Sequence, residues 1–435
     1  MIVCKFGGSS LADAGQFRKV YELVKSDPAR RFIVPSAPGK RDANDEKVTD
    51  LFYACYEACE AGRSVDGLLD RIFCRYDGII ADLGLNLRLE SEFEGIRRLF
   101  GMRLGRDYFV SRGEYLNGII LANFLGFEFI DAADVIFFRE DGSFDAEKTD
   151  IYLSEKLRNA RNAVIPGFYG STPGGTVRVF PRGGSDITGA LVARAAGAEL
   201  YENWTDVDGY LSADPRLIPG ARTVPAMTFH QLRELRYAGA AVLHEDAIRP
   251  VREKGIPIYI RNTNRPDGPG TRILPALTEK GPGPVGVGGR GDYAAVTLEK
   301  DELRRGRDFF RRFTALLERD GIAPELLPCG VDSVTAVFSR RGLTLSPEAL
   351  AEKWRAVLGA EKTAVIRDLA LLSVVAGDLA GAPRIRAAAL SALWEAGIPV
   401  LLLEECADGI HLILGVREGD LNSAAAVLHR ALFEK

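Results

Sequence analysis

The sequence predicts an α/β chain in two parts: a mostly parallel sheet covered by helices, then two small βαββ units of ferredoxin-like kind. Three observations carry this. From residue 1 to about 275, short apolar runs alternate with helical patterns, as expected of strands joined by crossover helices. Breakers then crowd Arg265-Pro266-Asp267-Gly268-Pro269-Gly270 and Gly281-Pro282-Gly283-Pro284, which read as a linker, with a boundary at about 280–292. Beyond it a pattern repeats at an offset of 76: Leu317, Gly321, Ile322, Leu326, Leu327 and Asp332 recur as Leu393, Gly397, Ile398, Leu402, Leu403 and Asp408. The expected parts are 1–280 and 290–435, the latter divided at about 293–362 and 366–435.

The first strand is Met1 to Phe6, which turns at once through Gly7-Gly8-Ser9-Ser10; Phe17, Val20, Leu23 and Val24 then share one face of a helix. Further strands are read at 31–34, 127–130, 163–166 and 256–260, and residues 46–105 are a charged, mainly helical cap. In the repeat, strands at 294–298 and 370–375 each lead into a helix, a Gly-Ile turn, a strand, a short turn and a strand.

Composition narrows the function. With 435 residues, 46% of them hydrophobic, the chain can bury large cores, and a net charge of −4 with interspersed signs gives no field for nucleic acid. No apolar run reaches membrane-spanning length and no basic leader precedes the first strand, so a cytoplasmic protein with small-molecule ligands is expected. The six cysteines are scattered, Cys55 and Cys59 read as core thiols, and the four histidines have no ligand spacing; no protein-held zinc or iron is expected.

The motifs carry the chemistry. Lys5 ends an apolar strand, where an unpaired charge is costly, so a partner is required. Gly7 and Gly8 let backbone N–H groups approach an anion, but the lysine precedes the glycines, unlike a Walker loop. Val110 to Glu114 reads as a glycine turn at a strand–helix junction that presents a carboxylate, and Ile165 to Gly170 as an aromatic loop flanked by glycines. Phe180 to Asp186 is a second glycine-rich turn, entering a helix near Ile187 with the forked cation of Arg182. Trp204 to Gly209 leads to a polar loop, Ala213-Asp214-Pro215-Arg216. Each alone is ordinary turn or capping chemistry; in succession at strand ends they suit a phosphate and a small charged ligand.

With Pro35-Ser36-Ala37-Pro38-Gly39-Lys40 and Val48-Thr49-Asp50-Leu51, these segments resemble the amino-acid kinase family, and within it the monofunctional aspartate kinases with C-terminal ACT domains. The resemblance implies a carbamate kinase-like αβα sandwich followed by two ACT units, possibly interleaved. It implies transfer of the γ-phosphate of ATP, with Mg²⁺, to the side-chain carboxylate of L-aspartate, the first step toward lysine, threonine and methionine. Lys5 and Asp186 are the implied catalytic pair. Lys5, Gly7, Gly8, Ser9, Thr205, Asp206 and Arg216 are assigned to the nucleotide, and Ser36, Thr49, Glu114, Phe168, Arg182 and Ser185 to aspartate. Gly330, Val331, Asp332 and Ser333 are the implied effector turn, for lysine or threonine, and ACT pairing implies at least a homodimer.

Three departures from the family pattern stand out: Ala241 where many relatives have lysine, Leu211 where a nucleotide-loop tyrosine is usual, and Glu404-Glu405-Cys406-Ala407-Asp408 in the second ACT unit. The rival readings are a glutamate, uridylate or acetylglutamate kinase of the same fold, and a catalytically silent amino-acid sensor.

Overall fold

The computed structural model describes residues 1–435 apart from 103–104, 182, 238, 240–242, 244, 278–282, 302–306, 380, 406–408 and 435. Arg182, Ala241 and the segment 406–408 therefore lie outside the described residues. Contacts divide the chain into two compact units. One comprises Met1–Tyr210, Thr223–Phe229 and Val242–Leu277, the other Leu211–Arg222, His230–Ala241 and Thr278–Lys435.

The first unit is built on a sheet of eight strands among the described residues, in the order β3 (Glu128–Phe129), β4 (Ala163–Val164), β2 (Arg30–Pro35), β1 (Ile2–Phe6), β7 (Leu200–Thr205), β9 (Ile258–Asn262), β10 (Thr271–Leu274) and β8 (Ala226–Thr228). The six from β3 to β9 are parallel; β10 runs antiparallel to β9. Residues 265–270, expected in a linker, instead turn this last hairpin, where proline and glycine serve a tight reversal. A separate hairpin pairs β5 (Tyr169–Ser171) with β6 (Val177–Val179).

Helix α1 (Ala14–Lys25) starts where the Asp13 carboxylate accepts the Gln16 N–H at 2.9 Å and buries Phe17, Val20 and Val24. The cap consists of α2 (Val48–Glu60), α3 (Asp66–Leu83) and α4 (Glu90–Gly101), and α5 (Arg106–Leu125) joins it to the sheet through a core that includes Phe6, Ile33, Phe52, Tyr76, Phe109 and Ile120. The remaining helices of this unit are α6 (Ala146–Asn159), α7 (Gly184–Ala196) and α9 (Glu245–Glu253); α8 (Phe229–Tyr237) belongs, after its first residue, to the second unit.

Glu114 does not sit at a strand–helix junction: it is in the middle of α5. Gly113 and Gly118 each cost a helix about 1 kcal/mol relative to alanine. Phe109, Leu116, Ile120 and Leu121, all fully buried, return about 1.5–3 kcal/mol apiece, so the helix continues through the glycines. Their lack of a side chain has another use. A Cβ at Gly113 would lie 2.9 Å from Ala37 Cβ, and one at Gly118 would lie 2.7 Å from Pro166 Cγ, so both let strand-end loops press against the helix.

In the second unit, two long strands, β11 (Pro284–Glu299) and β14 (Lys362–Ala376), lie antiparallel at the centre of a six-stranded sheet. The C-terminal part of β11 combines with α10 (Arg307–Arg319), β12 (Pro324–Leu326), β13 (Ser333–Ser339), α11 (Pro347–Leu358) and the start of β14, around Val296, Phe313, Phe338 and Trp354. The rest of β14 combines with α12 (Pro383–Glu395), β15 (Leu402–Glu405), β16 (His411–Arg417) and α13 (Leu421–Phe433), around Leu372, Val374, Leu393, Leu414 and Leu428. This second module takes its remaining strand from the N-terminal part of β11, which contributes Val287. The repeat is visible in the backbone: Gly321 and Gly397, one after each module's first helix, have φ of 68° and 69°.

Candidate active site

Three loops at strand ends and two helices gather most of the residues singled out from the sequence. Lys5, 8% exposed, has the partner its position demands: Nζ lies 2.7 Å from Asp186 Oδ1. Asp186 is in the first turn of α7, where the helix dipole favours a carboxylate, and the same Oδ1 accepts Asn203 Nδ2–H at 2.9 Å. Asn203 is on β7 next to β1, so the sheet itself sets the pair's geometry.

After Lys5 the chain turns at Gly7, whose N–H donates to Trp204 O at 2.9 Å, and forms one 3₁₀ turn at Gly8–Leu11. The glycine at position 8 is required: a Cβ there would lie 2.8 Å from Ala37 O, and one at Gly39 would lie 2.6 Å from Gly8 C. Gly39 N–H donates to Gly8 O at 2.8 Å. The loop at 36–39 thus lies directly on the glycine turn. Ser9 is half-buried beside it.

The same loop reaches α5. The Ala37 backbone N–H donates to the Glu114 carboxylate, while Ser36 O accepts Asn117 Nδ2–H at 2.6 Å. Glu114 is 5% exposed and its Oε2 has no partner. Burial pushes this carboxyl up to about 8, against smaller opposing effects of the Ala37 hydrogen bond and Arg112. A buried carboxyl with an unmet oxygen is ready for a cationic group. Thr49, half-buried, stands in the first turn of α2, which Val48 fastens to Pro38 O.

The third loop joins β4 to β5. Gly167 N–H donates to Pro35 O at 3.0 Å, and a Cβ at Gly167 would lie 2.6 Å from Ser185 Oγ. Phe168 holds φ of +83°, a strained value for an aromatic residue, and its N–H donates to Thr188 Oγ1 at 3.1 Å. Gly184 makes room for it, since a Cβ there would lie 2.6 Å from Phe168 Cδ2. Ser185, at 9% exposure, is packed behind.

The remaining residues are placed differently. Thr205 ends β7 and its Oγ1 donates to Asp206 Oδ1 at 3.2 Å, close in sequence to the Trp204 carbonyl that anchors Gly7. Arg216 belongs by its contacts to the second unit, where it is exposed and bonded to Asp214 at 2.6 Å. Gly330, Val331, Asp332 and Ser333 form a turn between β12 and β13, closed by Gly330 N–H to Ser333 O at 2.9 Å, with Val331 71% exposed. A cavity of about 580 Å³ opens elsewhere in the first unit, against Phe138, Phe144, Phe180 and Leu191.

Sequence reasoning missed a buried cluster beneath the site. Glu202, 2% exposed, accepts Arg30 Nε–H at 2.8 Å and Nη2–H at 3.1 Å, Trp204 Nε1–H at 2.9 Å and Arg261 Nη1–H at 3.3 Å. Arg261 also stacks on Trp204, 4.3 Å from the ring centroid. Charged residues inside otherwise apolar strands were the available signal.

A glycine turn, a buried lysine held by a helix-start aspartate and a buried carboxyl with a free oxygen thus share one mostly parallel sheet. Residues 1–262 match the amino acid kinase family, and the chain belongs to it, among the aspartokinases. It is 33% identical to aspartokinase 3 of Bacillus subtilis (strain 168) over 100% of this chain and 99% of that one. The structure of Clostridium acetobutylicum aspartate kinase superposes with a TM-score of 0.87 at 38% identity, covering 99% of each chain. Escherichia coli aspartokinase III in complex with aspartate and ADP superposes with a TM-score of 0.73 over 100% of both chains; at 24% identity it speaks for the fold. That fold is the αβα sandwich followed by ACT units.

Proposed function

We propose that this chain transfers the γ-phosphate of ATP to the side-chain carboxylate of L-aspartate, giving 4-phospho-L-aspartate and ADP. The observation that carries the reading is the loop at 36–39, which touches the Gly8 turn on one side and Glu114 on the other. It lies between a phosphate-binding element and a group suited to an amino acid's ammonium.

Each residue has a role in that reading. Lys5, buried and paired, supplies positive charge to the phosphoryl oxygens, and Asp186 keeps it oriented. The N–H groups of Gly8 and Ser9 face the phosphates, Gly7 anchors the turn through Trp204 O, and Thr205, Asp206 and Arg216 are assigned to the rest of the nucleotide. Glu114 pairs the substrate ammonium; Ser36, Thr49, Phe168 and Ser185 shape the pocket, and Arg182 grips a carboxylate. The attacking carboxylate is already ionised, so positioning and charge neutralisation suffice without a general base.

Among the described residues no cluster of three His, Cys, Asp or Glu is placed to hold a metal ion. In this reading Mg²⁺ accompanies ATP, held chiefly by the nucleotide phosphates and water. Mg²⁺ would neutralise charge shared between the β- and γ-phosphates.

Relatives extend the reading. Escherichia coli aspartokinase III has been solved with lysine and aspartate; from the family resemblance we assign the ACT modules to feedback by lysine or threonine, with the turn at Gly330 to Ser333 as the binding edge, and to homodimer assembly. No helix among the described residues is long and apolar enough to cross a membrane.

The test is direct. Protein incubated with ATP, Mg²⁺ and L-aspartate should form an acyl phosphate that hydroxylamine traps, while glutamate in place of aspartate should give little. Absence of hydroxamate with every amino acid would sink the reading.

A further inference from the structure

Strand β7, Leu200–Thr205, runs between β1 and β9 inside the first unit's sheet, where a parallel strand is expected to be apolar. It carries two buried polar residues instead, which point to opposite faces. Glu202 is taken up by Arg30 and Arg261. Asn203, 3% exposed, is a residue type that strands disfavour, and its burial is costly unless it is bonded. Its bond is to Asp186: because a carboxylate only accepts, the amide presents Nδ2–H, and the distance to Oδ1 is 2.9 Å.

Lys5 and Asn203 are register partners in adjacent parallel strands, so their side chains leave the same face of the sheet. Both reach the same oxygen, Asp186 Oδ1, Lys5 at 2.7 Å. Tyr201, two residues before Asn203 and hence on that face, donates its hydroxyl to the Asp186 backbone carbonyl at 3.2 Å. Gly189, three residues further along α7, lets the helix lie that close, since a Cβ there would collide with Tyr201 Oη. The first turn of α7 is thus pinned to β7 through both the backbone and the side chain of Asp186. Beyond the pair, a Cβ at Gly7 would lie 3.6 Å from Lys5 Nζ, so the ammonium lies against the glycine turn.

We propose that Asn203 is a positioning residue for phosphoryl transfer: it holds Asp186 in place, so that Lys5 Nζ stays aimed at the glycine turn while its charge is drawn to the phosphoryl oxygens. This rests on the assignment of Lys5 to the phosphoryl group. With nucleotide bound, the ammonium is shared between the carboxylate and the phosphate. Asn203 then supplies a donor that Asp186 does not have to share, which keeps the carboxylate from turning away or following the lysine toward like charge. A displaced Asp186 misdirects the lysine as charge develops in the transition state, and the loss falls on kcat.

Full-length Asn203→Leu and Asn203→Asp test it, singly and in an Asp186→Asn background. Both keep the approximate size of asparagine; leucine removes the donor, and aspartate replaces it with an acceptor. Asn203→Leu should lower kcat about 10- to 100-fold, the scale of a hydrogen bond to a charged group, with KM for ATP and for aspartate within about threefold. Asn203→Asp should lose at least as much. A role in packing alone gives a tolerated leucine and a harmful aspartate, and that outcome would overturn the proposal. In Asp186→Asn, the added Asn203→Leu change should lower kcat by no more than about twofold; a full further loss would show that Asn203 does not act through Asp186. Should leucine prevent folding, Asn203→Ala is read in the same way. A readout independent of the reaction is the rate at which formaldehyde and cyanoborohydride methylate Lys5 in the substrate-free protein, followed by mass spectrometry. That rate should rise severalfold in Asn203→Leu, and an unchanged rate would refute the hold on Asp186 even in a chain that phosphorylates nothing. A raised rate beside a wild-type chain that forms no hydroxamate would overturn the aspartate reading and leave the hold standing.

Discussion

Lys5 and Glu114 are two buried ionisable groups that differ in one respect: Lys5 has its counter-charge within the chain, whereas Glu114 waits for one. Replacing Lys5 by alanine should lower kcat about 10²- to 10³-fold with the circular dichroism spectrum unchanged. Glu114 gives a pH signature. Folded, it titrates at about 8, against an ordinary value of 4.5. Between those values the folded chain keeps a proton that the unfolded chain has lost, so stability falls as pH rises through the window. Glu114→Gln should flatten the melting temperature over that range. In the active protein, an ammonium ligand must displace the proton, so aspartate binding near pH 7 should release a proton and KM for aspartate should fall as pH approaches about 8.5; a KM equally pH-dependent in Glu114→Gln would contradict this. The lysine was legible because a charge ending an apolar strand requires a partner. The Glu202 cluster was not. Its members Arg30 and Arg261 are 172 and 59 positions away along the chain; Arg261 is a lone charge in β9, and Arg30 stands beside Arg31 at the start of β2.

At the scale of elements, the site depends on backbone approach. Gly167 and Gly184 let the β4–β5 loop and α7 meet at distances no side chain allows. Gly167→Ala should cost about 1–3 kcal/mol and raise KM for aspartate, because Ser185 must shift. Gly95→Ala in α4, where nothing lies within 4 Å, should leave the melting temperature equal or higher. Glu202→Ala strips Arg30 of its bidentate partner inside the sheet and should cost about 3–5 kcal/mol, visible as a lower melting temperature. Strands were read well where apolar runs were unbroken, as at β1 and β2. Helix α5 was misread locally because Arg112, Gly113 and Glu114 interrupt its apolar pattern, each for its own reason: Arg112 lies over the rings of Tyr108, Tyr115 and Tyr169, Gly113 makes room for Ala37, and Glu114 accepts the Ala37 N–H. Proline and glycine at 265–270 gave a true turn signal but could not say whether the turn was inside a domain or between two.

Across the whole molecule, the internal repeat was the most legible feature, since Gly321 and Gly397 mark equivalent turns and Leu317 and Leu393 equivalent core positions. The way the copies share strands was not legible, because a repeat offset reports similarity and not pairing. β11 pairs with β14 through both modules, so neither has a complete sheet without the other. The two copies should therefore melt as a single cooperative block: in guanidinium, amides of β13 and of β16 should lose protection at one midpoint, and two separated midpoints would show independent modules. A destabilising change in either copy then lowers the resistance of both to proteolysis. The internal repeat here gives two similar shapes with one shared fate.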